Sequence, residues 1–136
     1  MGLKPLSSVL AGALMLAWPA LLAGYPLVFS DTAAFLQQTL VPLMIWDKPW
    51  IYGPLSFLLH WHTSLWPVVA AQGLMLSHLL WLMLRAFGGQ GGVGATPARH
   101  LLLCLALAAL TALPFSVALV MPDILTPARE LSLIHI

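Results

Sequence analysis

Charge is the scarcest property of this sequence. Lysine and arginine together number 5, aspartate and glutamate 4, making 7% of 136 residues, where an average soluble domain carries roughly 25%. With 61% of residues hydrophobic, a water-soluble surface could not be covered, so an ordinary soluble domain is excluded and lipid must be part of the solvent. A net charge of +1 excludes a nucleic-acid-binding surface, which needs a basic face. Cysteine occurs once, as Cys104, which rules out an internal disulfide and leaves the redox compartment open. Signature motifs are missing too: there is no nucleophile elbow, zinc spacing or Walker sequence.

What is present is apolar length. A spanning helix needs about 20 apolar residues to cross roughly 30 Å of hydrocarbon. Three stretches qualify, at about Pro5–Phe29, Trp66–Phe87 and Leu101–Met121; the first and third carry no charge and the second none before Arg85. Pro19, Pro26 and Pro114 lie inside them, which membrane helices tolerate because neighbours satisfy the freed carbonyls. The expected fold is therefore all-α: an integral membrane protein with three transmembrane helices in a single incomplete domain over residues 1–130. Lys4 before the first run also fits a signal peptide. The run is long for one, however, and Leu22-Ala23-Gly24 offers no small-residue cleavage site.

Orientation follows from the basic residues. With the N-terminus cytoplasmic, Lys4, Arg85 and Arg99 lie inside, and Lys48 and Arg129 outside. All four acidic residues, Asp31, Asp47, Asp123 and Glu130, then fall outside. The inner loop, residues 88–100, is glycine-rich and reads as a linker.

The outer loop, residues 30–65, is richer. Ser30 or Asp31 can cap a short helix beginning at Thr32, which Pro42 then disturbs. Trp46, Trp50 and Tyr52 surround the Asp47–Lys48 pair, and such rings favour the lipid–water boundary. Pro54 suits the first turn of a second helix, on which Ser56, His60, Thr63 and Ser64 form a polar stripe among Leu55, Leu58, Leu59, Trp61 and Leu65. One or two short interfacial helices are expected here, with a break near Trp66 before the second span.

Few groups could carry chemistry. Asp31 stands where the first span meets the outer surface. As a carboxylate it can act as a base or contact a metal-bound phosphate, or it can simply cap a helix. Asp123, just beyond the third span, lies at similar depth and has its own bland reading as a solvated residue. His60 and His62 point roughly 200° apart on a helix and cannot readily share an ion, so no metal ligand is assigned; His60, on the polar stripe, is the better candidate to face a polar groove. Gln72 and His78 lie within the second span, where polar groups face other helices. Gly73 and Ser77 form a small-xxx-small pair that lets helices approach, and Ala108, Ala112 and Ser116 continue a similar spacing.

The stretch GYPLVFSDTAAFL, Gly24 to Leu36, and the long loop after it resemble the N-terminal part of GT-C-type glycosyltransferases, polytopic enzymes that use lipid-linked sugar donors. The phrases SDTAAFL, WPVVAAQ and LTALPFS are also similar to those of bacterial polytopic membrane proteins. The resemblance covers most of the chain but is one of architecture, and its motif is short. It implies a bacterial inner-membrane location and sugar transfer at the extracytoplasmic face. It also implies Asp31 and Asp123 as catalytic acidic residues, with room for a divalent cation; in such a site His60, chosen for its place on the polar stripe, would be a donor to substrate phosphate. Many members pair two acidic residues at the first position, whereas Asp31 is flanked by Ser30 and Thr32. Members also have many more spans. The alternative is a non-enzymatic polytopic protein, a transporter fragment or a membrane assembly subunit. The terminal LSLIHI, residues 131–136, is similar to translated sequencing-adapter read-through and is read as an artificial tail on a truncated chain.

Overall fold

The computed structural model describes residues 3–37, 52–61, 63–88 and 95–121. These form seven helices joined by turns and short extended segments, with one isolated parallel bridge, Leu27 to Leu119. In chain order the helices are α1 (Leu3–Leu16), α2 (Trp18–Ala23), α3 (Ser30–Gln37), α4 (Tyr52–His60), α5 (Trp66–Gly88), α6 (Pro97–Leu110) and α7 (Leu113–Ala118). Of these, only the Trp66–Phe87 helix is long and apolar enough by itself to cross a membrane; Pro5–Leu16 and Pro97–Leu110 are shorter apolar helices.

The first apolar stretch is two helices and ends at Ala23. Pro19 has no N–H to give back to the preceding turn, yet Ala17 N–H still reaches Ala13 O at 3.0 Å and Leu21 N–H reaches Ala17 O at 3.2 Å. The joint is therefore a kink with a continuous backbone path. Gly24 then takes φ 76°, the left-handed conformation that stops a helix and that only glycine adopts without strain.

The third stretch begins earlier than expected and is also broken. Thr96 accepts a hydrogen bond from Arg99 N at 3.4 Å and is followed by Pro97 in the first turn, a capping arrangement that starts the helix at Pro97. His100, expected in the inner loop, consequently lies inside α6. At the other end Thr111 turns extended; its hydroxyl donates to Leu107 O at 2.6 Å and accepts from Leu113 N at 3.2 Å. Pro114 keeps the two halves from rejoining, because it cannot supply the next helical N–H.

The short halves α2 and α7 pack on each other. Trp18 meets Phe115 edge-on, with centroids 5.6 Å apart, and its indole N–H donates to Ala108 O at 3.4 Å. In an unbroken helix Ala112 N–H would take that carbonyl, so one broken helix supplies what the other lacks.

α1 sits between α5 and α6. Leu16, Val68, Val69, Leu76, Val117 and Val120 form the buried core. Leu6, Leu10, Leu14 and Leu21 line the outward face of α1 and α2, and Leu22 and Leu110 are 79% and 82% exposed. Ser8, Thr32, Ser56, Gln72, Ser77 and His100 are buried, whereas His78, expected to face another helix, is exposed in the middle of α5.

Candidate functional site

α2 ends, α5 begins and α7 ends at the same end of the bundle. There α3 packs on α4, and α4 on α5. The link between α2 and α3 is tied to the far end of α7: Leu27 N–H donates to Ala118 O at 3.0 Å, and Val120 N–H to Leu27 O at 3.0 Å. Thr32 adds a second tie. Its hydroxyl accepts from Phe29 N at 3.0 Å, closing the first turn of α3 as the reciprocal bond of a capping box does, and donates to Val120 O at 3.0 Å. The helix therefore starts at Ser30, with Asp31 in its first turn, and the Thr32 side chain closes that turn.

A second set of bonds fastens α4. Gln72 Nε2 donates to the Tyr52 hydroxyl at 3.0 Å and to Met121 O at 3.3 Å, while its Oε1 is buried without a hydrogen-bond partner. Tyr52 also meets Phe35 of α3 edge-on at 5.4 Å. Residues from α3, α4, α5 and the strand-like segment after α7 thus converge. The polar stripe read on α4 turns inward at Ser56 and His60, which are buried, and outward at Thr63 and Ser64, which lie beyond the helix and are exposed. The chain leaves α4 through Trp61 at φ 42°. The stacking of that ring on Phe57, with centroids 5.5 Å apart, accompanies the unusual backbone.

Asp31 is half-buried, and its neighbour Thr32 is bonded to Val120. Its negative charge lies in the first turn of α3, where it favours the helix dipole. His60 is buried at the end of α4 opposite Tyr52, against the Phe57 ring at 5.6 Å. Asp123 lies outside the described residues, as do His62 and the Trp46–Trp50 segment.

A further polar cluster, on the other half of the bundle, was not expected. His100 Nε2 donates to Ser77 O at 2.9 Å and lies 3.5 Å from both Ser77 Oγ and Cys104 Sγ; the Trp81 ring packs edge-on at 5.5 Å. Ser77 Oγ donates to Val9 O of α1 at 2.8 Å. His100 Nδ1 is buried without a hydrogen-bond partner. The available signal was Thr96-Pro97, which draws His100 into a helix and places Cys104 one turn on, at a spacing of four. Among the described residues, no group of three or more His, Cys, Asp or Glu could hold a metal ion. Comparison of the chain with protein-family models, with curated proteins and with solved structures gives no match.

Thr32→Val keeps the side chain's shape and removes both hydroxyl bonds. The buried Val120 carbonyl and the part-buried Phe29 N–H each lose a partner, at a cost of about 1–3 kcal/mol. Hydrogen exchange at the Phe29 amide should accelerate, while Thr32→Ser should restore protection. Unchanged exchange in Thr32→Val would show that this tie does not hold α3.

Proposed function

We propose that the chain crosses the bilayer with all three apolar stretches and belongs to an enzyme transferring a sugar from a lipid-linked donor at the extracytoplasmic face. Two arguments support the membrane reading. Taken together, α1 and α2 cover residues 3–23 and α6 and α7 cover 97–118; at 1.5 Å per residue each is roughly 30 Å long, the thickness of the hydrocarbon. Many leucines also face outward while Ser8, Gln72, Ser77 and His100 are buried, an arrangement suited to lipid, although His78 is exposed.

The observation that carries the enzyme reading is the closure of one bundle end by α3 and α4 through Thr32, Tyr52 and Gln72, with Asp31 at that end. Asp31 serves as the base or metal-contacting carboxylate, Asp123 as the second acidic group and His60 as a donor to substrate phosphate. A divalent cation is compatible with these roles. Three peptide units separate Asp123 from Val120, at most about 11 Å of chain, and Val120 is bonded to the residue after Asp31. The protein is assigned to a bacterial inner membrane with its N-terminus cytoplasmic.

A transporter is the second reading. The facing breaks in α1–α2 and α6–α7, together with the Ser77–His100 cluster, favour it, because transporters build substrate sites around interrupted helices.

The test uses the protein from its complete reading frame, in liposomes with divalent cation and a membrane-extract acceptor. It receives either a labelled polyprenyl-phosphate sugar or the corresponding nucleotide sugar. Transfer from the lipid-linked donor alone is expected. Solute uptake without transfer would replace the enzyme by the transporter. Topology is tested separately: an impermeant maleimide on intact cells should label Tyr25→Cys and spare Ala86→Cys. Tyr25 is exposed at the Asp31 end, Ala86 is exposed at the other, and the native Cys104 is buried. The reverse labelling pattern would invert the orientation.

A further inference from the structure

Between α5 and α6 runs an open groove of about 360 Å³ lined only by apolar side chains, among them Leu76, Leu80, Met83, Phe87, Leu103 and Leu107. Its volume is more than twice the roughly 150 Å³ cavity that accommodates benzene. It follows the half of the bundle remote from Asp31 and reaches Phe87 in the last turn of α5. At that end the only described charge on the groove side is basic. Arg99 is exposed and stands one helical turn before Leu103 on the same side of α6, whereas Arg85 is on the opposite side of α5 from Leu76 by helical register.

An occupant apolar along its length and anionic at one end matches this lining and the basic residue one turn beyond it. We propose that this groove holds an acyl chain of an anionic phospholipid, with its headgroup phosphate at the Arg99 guanidinium. The inference rests on the membrane reading above and not on the sugar-transfer reading. It has a physical basis in two parts. An acyl chain fills the groove by close contact with leucine and phenylalanine side chains. A guanidinium fits a phosphate better than it fits a zwitterionic headgroup, whose own ammonium competes. Basic pockets between helices near the cytoplasmic surface suit this kind of ligand.

The experiment uses the full chain in mild detergent, exchanged with mixed micelles of phosphatidylglycerol and phosphatidylcholine, with retained lipid counted by native mass spectrometry. Phosphatidylglycerol should be retained about fivefold over phosphatidylcholine, the ratio that corresponds to about 1 kcal/mol per basic residue near a lipid surface. Arg99→Gln, an exposed substitution that leaves the core alone, should bring the ratio near one while lipid is still retained. Leu107→Trp, which fills the groove, should reduce retention of both lipids, and Leu102→Trp, on the exposed side of α6, should not. A wild-type ratio near one, or a preference that survives Arg99→Gln, would overturn the proposal. So would a lipid-free dimer, because a second copy would then occupy the groove. Recovery of the chain in the soluble fraction would overturn the membrane reading as well; loss of lipid preference in a membrane-embedded protein overturns the groove alone.

Discussion

Asp31→Asn is expected to insert normally and to lose sugar transfer by about 10²–10⁴-fold, the contribution typical of a positioned acid–base group. The substitution separates chemistry from structure because asparagine caps and starts helices about as well as aspartate. The helix-dipole part of the exchange costs roughly 0.3–1 kcal/mol. Thr32, which makes the closing bonds to Phe29 and Val120, is untouched. The measurement is initial transfer rate at saturating lipid-linked donor, alongside hydrogen exchange at Phe29 as a check that α3 is intact. Transfer retained within a few fold would remove Asp31 from the site.

Gly12→Ala should be the most damaging single-methyl change in the described bundle. A Cβ at Gly12 would stand 2.6 Å from Ser77 Oγ, 2.9 Å from Cys104 Sγ and 3.1 Å from His100 Cε1. None of these groups is a loose end. Ser77 Oγ is held by Val9 O at 2.8 Å, and His100 by Ser77 O at 2.9 Å. Alanine favours the helix by about 1 kcal/mol, but overpacking costs about 1–3 kcal/mol and a broken buried hydrogen bond a similar amount. The net expectation is a loss of about 2 kcal/mol, read as a lower midpoint of thermal unfolding in detergent. Adding Ser77→Ala should return part of that loss, because it removes the closest contact. Gly73→Ala is the control: its Cβ would meet Ala13 O at 3.2 Å and Ala13 Cβ at 3.5 Å, so a shift of a few tenths of an ångström suffices. Equal midpoints for Gly12→Ala and wild type would mean that α1 does not approach α5 and α6 this closely.

That comparison also marks what can be read from residues alone. The pair Gly73 and Ser77 is visible as a small-xxx-small spacing, and Ser8 and Gly12 have the same spacing. Which glycine is tightly enclosed depends on three helices meeting, which no single-helix pattern encodes. α5 is legible because a charge-free run lies between the Ser64–Pro67 start signals and Arg85–Gly88. α6 was misread at its start because the glycines before it look like linker, although Thr96-Pro97 is a helix-start signature. The break at Thr111 is set by Pro114 together with the Thr111 hydroxyl, and the tryptophan that completes it comes from the other end of the sequence. At the candidate site, the apolar-to-polar boundary that carries Asp31 was legible in the sequence. Gln72 was read as a packing residue, since its link to Tyr52 and Met121 exists only once α4 has folded back.

The bond from Thr32 to Val120 also says something about time. Its two partners are 88 residues apart in sequence, and the Leu27–Leu119 bridge beside it spans a comparable stretch. While the chain is being made, α3 can pack on α4 through Phe35 and Tyr52, but its tie to the third apolar stretch has to wait until the ribosome has passed Val120. The end of the bundle that carries Asp31 is therefore finished late, after the third apolar stretch has emerged and taken its place. Synthesis halted before that point would leave the first loop without its tie.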